Sequence, residues 1–126
     1  MKLLRRLSMV LALSVLASCA IPPMGPKPPA FVGKWVNHDG TLLVLHHNGT
    51  FEAQFNESST ADIWGDYSIS GNRIQFASRG GHLARACNHG VGVYRFYEKD
   101  GTLLFREVRD RCEERAHQLG EIWHRP

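Results

Sequence analysis

The stretch Thr41-Leu-Leu-Val-Leu-His-His-Asn-Gly-Thr-Phe-Glu-Ala-Gln-Phe-Asn56 decides the fold class. Two runs of strand formers flank Asn48-Gly49, a pair that supplies the positive φ a tight hairpin turn requires. In the second run Phe51, Ala53 and Phe55 alternate with Glu52, Gln54 and Asn56, the period-two pattern of a strand with one face buried.

The same grammar extends in both directions. Strand-like runs fall at 33–37, 41–46, 50–56, 63–69, 73–78, 91–98, 102–110 and 121–124, joined at Asp39-Gly40, Asn48-Gly49, Gly71-Asn72 and Asp100-Gly101. Ile74 and Phe76 alternate with Arg73 and Gln75, and Tyr94 and Phe96 with Arg95 and Glu98. Tight turns between neighbours predict an all-β, antiparallel meander of about eight strands. Closing into a barrel is the simplest way for such a meander to remove its exposed edges. Runs 41–46 and 102–110 are apolar on both faces, which predicts cover on both sides, with the helix described next as a candidate.

One segment breaks the pattern. Asp110-Arg-Cys-Glu-Glu-Arg-Ala-His-Gln-Leu-Gly120 has a capping aspartate, acidic residues in its first turn and a terminal glycine, and predicts a short helix before the last strand. It is expected beside that strand or over one barrel end. Arg106, Arg109, Arg111 and Arg115 are interleaved with Glu107, Asp110, Glu113 and Glu114, which reads as a solvated, self-compensated face.

The start of the chain is of another kind. Lys2, Arg5 and Arg6 precede an apolar run from Leu7 to Ala17 that is too short to span a bilayer, so residues 1–18 are expected to be a cleaved signal peptide. Leu16-Ala17-Ser18-Cys19 resembles the bacterial lipobox, and the resemblance implies acylation of Cys19 and a membrane anchor through its lipid. Ala20 lacks the aspartate associated with inner-membrane retention, which favours the outer membrane. Five prolines between Ile21 and Pro29 make 19–30 a semi-rigid tether. Residues 31–126 then form one domain.

Fifteen Lys and Arg face 12 Asp and Glu, and the surplus of three equals the three basic residues of the leader. The exported part is therefore near neutral, which argues against a nucleic-acid partner. With Cys19 assigned to lipid, Cys87 and Cys112 are left to each other in an oxidising compartment, and a disulfide is expected. No Gly-x-Ser-x-Gly, HExxH or phosphate-binding loop is present, so the chain does not read as an enzyme and calls for no cofactor.

Gly33-Lys34-Trp35 resembles the Gly-x-Trp opening of lipocalins and related calycin barrels, and Trp123-His124-Arg125 resembles the terminal strand whose basic residue those barrels pack across the tryptophan. The likeness is nearest to the small lipocalin-like lipoproteins of bacteria. It implies a barrel binding a small apolar or amphipathic ligand, for which Trp35, Phe51, Phe55, Tyr67, Phe76, Tyr94, Phe96 and Phe105 are the expected lining.

Three other features could carry function. Arg79, His82, Arg85 and His89, in the long segment 79–90, would suit an anionic or protein partner, such as a secreted hydrolase inhibited by an inserted loop. Seven histidines raise a metal-binding alternative, with His82 and His89 the best pair and His117 brought near by the disulfide. Asp62 and Asp66, four apart with Trp64 between, would set paired carboxylates on one strand face, although an exposed polar face is the plainer reading.

Overall fold

A computed structural model describes residues 29–55, 60–82, 87 and 90–126. The signal peptide, Cys19, most of the tether, Arg85 and His89 lie outside the described residues.

Eight strands follow one another around a closed antiparallel barrel: β1 (Gly33–Asn37), β2 (Leu42–Leu45), β3 (Thr50–Gln54), β4 (Ile63–Ser70), β5 (Arg73–Gly80), β6 (Gly92–Lys99), β7 (Thr102–Arg109) and β8 (Trp123–His124). One short helix, α1 (Glu113–Leu119), precedes β8. The meander expected from the turn signals is thus the observed topology. Gly40, Gly49 and Gly71 adopt positive φ at three hairpins, and Asp100 and Gly101 do so together at the fourth. Closure comes from β8, which pairs antiparallel with both β1 and β7.

Inward positions follow the alternation. Trp35, Leu43, Leu45, Phe51, Ala53, Ile74, Phe76, Tyr94, Leu103, Phe105 and Trp123 form one buried core. Phe76 sits at its centre, edge-on to Phe51, Tyr94 and Phe105 at 5.2, 6.0 and 5.7 Å between ring centroids. Edge-to-face pairing of this kind adds about 0.5–1.5 kcal/mol per pair to the burial of the rings.

The barrel has two unlike ends. At the base, where β1 begins and β8 ends, Phe31 packs edge-on against Tyr67 and Phe96. The Arg125 guanidinium lies 3.8 Å over the Trp35 ring and donates to the carbonyls of Ala30, Val32 and Lys34. Gly33 makes room for it. Its φ is +119°, and a Cβ there would meet Nη1 of Arg125 at 2.7 Å. The glycine and tryptophan of Gly33-x-Trp35 therefore serve one contact, the stack of Arg125 across the barrel's closing seam.

At the opposite end α1 acts as a cap. Arg115 and Leu119 face inward, and Oε1 of Gln118 accepts from Nδ2 of Asn37 (3.0 Å) and Oγ1 of Thr41 (2.9 Å) on the first hairpin. The helix covers the barrel end, the second of the two placements expected for it, and its inward side chains meet the interior rather than the outer faces of β2 and β7. On those outer faces Leu42 and Leu104 are half-buried and Val44 is buried.

Two details correct the sequence reading. The N-cap is Cys112, whose sulfur accepts from the Arg115 N–H, and not Asp110. Asp110 is turned instead to the buried side chain of Arg115, with Oδ2 to Nε at 2.6 Å and Oδ1 to Nη2 at 2.7 Å. Arg115 is therefore no part of a solvated arginine face. The reason is long-range: its guanidinium also donates to Ser78 on β5 and to the carbonyl of Gly90.

The disulfide joins Cys87 to Cys112, 25 residues apart, and pins the segment after β5 to the root of the helix. Loop-closure entropy for that separation is on the order of 3 kcal/mol. The double variant Cys87→Ser/Cys112→Ser is expected to unfold about 3 kcal/mol more easily in a urea titration. A loss below about 1 kcal/mol would mean that the Arg115 network holds the cap unaided.

Candidate functional site

The aromatic residues expected to line a ligand chamber are on the inner face, but they fill it. Trp35, Phe51, Phe76, Tyr94 and Phe105 are all buried against one another. Tyr67 and Phe96 are half-buried at the base with Phe31, where the Tyr67 hydroxyl donates to the carbonyl of His46. Phe55 lies near the capped end.

What remains inside is a void of about 50 Å³ under α1, lined by residues that include Phe51, Phe55, Phe76, Leu119 and Trp123. Sites for organic ligands run to roughly 300–1,000 Å³, so this void has room for a water or two or a small group but not for a lipid or steroid. The reason is size. An eight-stranded barrel is just wide enough for side chains to fill, and six large rings, Trp123 among them, take up this interior.

The capped end gathers most of the polar chemistry. The side chain of Asp110 is fully buried, and it accepts from Arg115, from the Tyr94 hydroxyl and from the backbone N–H of Cys112. Burial by itself pushes its carboxyl up, but these hydrogen bonds and the Arg115 charge outweigh it and hold the group below the usual carboxylate range. Burial, then the hydrogen bond to Asp110, push the Tyr94 hydroxyl far up, so it stays protonated. The set is a satisfied structural network tying β5, β6 and α1 together.

The segment 79–90 differs from expectation. Arg79 belongs to β5, and its Nε lies 2.8 Å from Oδ2 of Asp66. His82 lies 3.4 Å from Oδ1 of Asp62. Arg79 and His82, two of the four residues proposed for an anionic partner, thus face carboxylates of this chain.

Asp62 and Asp66 do not form a pair. Asp62 precedes β4, is buried and accepts from the N–H of Phe55 at 2.6 Å. Asp66 is half-exposed on β4. His117 is not gathered with His82. It lies with Asp39 and Glu121, the three ligand atoms within 4.8 Å of one another, which is the single cluster of this kind among the described residues.

Trp64, read in the sequence only as the residue between Asp62 and Asp66, is an exposed aromatic surface feature. It is 45 % exposed on β4 and lies against Gly80, where a Cβ would come 2.5 Å from the indole. A tryptophan opposite a glycine on neighbouring strands was the available signal, but the pairing depends on the irregular register between Trp64 and Gly65.

Fold and site together define a small closed β-barrel with a packed interior, capped at one end by a disulfide-anchored helix. The sequence matches no family model and no curated protein sequence.

Proposed function

We propose that the protein is a lipid-anchored lipoprotein of the bacterial cell envelope, akin to the small lipocalin-like lipoproteins, whose barrel is a surface interaction module. The observation that carries this reading is the 50 Å³ void. A barrel filled by its own rings offers its outside, not its inside, to a partner.

The direction of the chain supports an outward-facing cap. β1 enters the barrel at the base through Ala30 to Gly33, so a tether from Cys19 would attach the base to the membrane and turn α1 and the disulfide away from it. Beside that end, Trp64 presents a rigid aromatic face, the residue type most enriched at the energetic centres of protein interfaces. The partner class that fits is a protein of the envelope or the surrounding medium, such as a hydrolase. Outer-membrane placement follows the residue after Cys19.

A second reading is the carriage of a small apolar molecule. The lining of the void by Phe51, Phe55, Phe76 and Leu119 favours it.

Native mass spectrometry of protein purified from a bacterial envelope without reductant separates the two. A mass matching the polypeptide and its lipid, with Trp64→Ala losing a cross-linked protein partner that the wild type retains, is expected. A co-purifying organic molecule released on unfolding would overturn the interaction reading in favour of carriage.

A further inference from the structure

We propose that Asp39, His117 and Glu121 form a binding site for a divalent transition-metal ion of the zinc class on the capped end of the barrel. One imidazole nitrogen and two carboxylate oxygens from three separate segments converge there: the tip of the first hairpin, the last turn of α1, and the link from α1 to β8. Ligand atoms around zinc lie about 2.0–2.2 Å from the ion, and hence about 3–4 Å from one another. The three atoms here lie within 4.8 Å of each other, a gap that small side-chain rotations close. Imidazole with carboxylate suits zinc and its first-row neighbours better than magnesium or calcium, which take oxygen donors.

The convergence is built into the backbone. Gln118, adjacent to His117, accepts from Asn37 and Thr41, which flank Asp39 on either side of the hairpin tip. Asn37 also accepts from the Thr41 N–H at 2.9 Å and is buried. The clamp holds hairpin and helix in register, so the positions of Asp39 and His117 are set before any ion arrives. His117 and Glu121 are four residues apart, across the end of the helix, and reach the same side.

Charge points the same way. Among the described residues neither Asp39 nor Glu121 has a Lys or Arg within 4.0 Å, in contrast to Asp66 and Asp110, each paired with an arginine. Two carboxylates brought together without a fixed countercharge repel, and a divalent cation reverses the sign of that interaction. The ion would cross-link the hairpin to α1 and stiffen the cap, whatever partner the protein has.

Calorimetric titration of chelator-treated protein with zinc chloride tests this. One ion per chain is expected, with binding at least tenfold weaker in His117→Ala and in Asp39→Asn and unchanged in His47→Ala, whose imidazole lies at the other end of the barrel. Zinc should raise the Tm of the wild type and of His47→Ala but not of His117→Ala. Both substituted site residues are exposed, so the variants should fold, as far-UV circular dichroism would verify. Absence of binding to the wild type, or equal affinity in His117→Ala and Asp39→Asn, would overturn the site.

Discussion

Arg115→Ala is expected to destabilise the barrel by about 3–5 kcal/mol, because it leaves the fully buried carboxylate of Asp110 without its cation. The loss reaches further than one ion pair, since the same guanidinium donates to Ser78 on β5 and to Gly90 at the end of the disulfide-pinned segment. The double variant Arg115→Met/Asp110→Asn should cost less than Arg115→Ala alone, as it leaves no unpaired charge behind. Urea denaturation of the three proteins checks the order.

The pH dependence has a definite sign. Asp110 is held below its unfolded value of about 3.9, so its contribution is fully present above that pH and is lost as pH falls through the lower folded value. Without Arg115 the burial of the carboxyl is opposed by fewer partners and its folded pKa rises. The stability gap between wild type and Arg115→Ala should therefore narrow as pH drops from 7 to 3. A gap constant across that range would mean that Asp110 is not coupled to Arg115.

Cys19→Ser carries the second large effect, on location rather than on stability. Two or three acyl chains bury several tens of methylenes at about 0.8 kcal/mol each, which makes attachment of the lipidated protein effectively permanent. Labelling with radioactive palmitate and fractionating the envelope should place wild type in the membrane and the variant, unlabelled, in the soluble fraction. A wild type that takes no label, or a variant that stays in the membrane, would refute the lipid anchor. Among the described residues no helix is long and apolar enough to cross a membrane. Lys34, Gln75 and Arg95 project from β1, β5 and β6 as exposed side chains.

The strands, their order and the inward residues were legible because they are local properties. Alternation of Phe51, Ala53 and Phe55 records one buried face, and Asp100-Gly101 records a hairpin, whatever the rest of the chain does. The pairing of Cys87 with Cys112 was legible by elimination. The site was not legible, because it is made by contacts between residues far apart in sequence. Arg115 looks like any arginine in a charged helix until Asp110, Ser78 and Gly90 surround it. His117 and Glu121 are close in sequence, but only closure of the barrel carries Asp39, from the first hairpin, to meet them. A list of aromatic residues likewise does not say whether they line a chamber or occupy it. Periodicity determined which rings point inward, and the packing of their side chains across this eight-stranded barrel decided that they meet at its centre and leave about 50 Å³ between them.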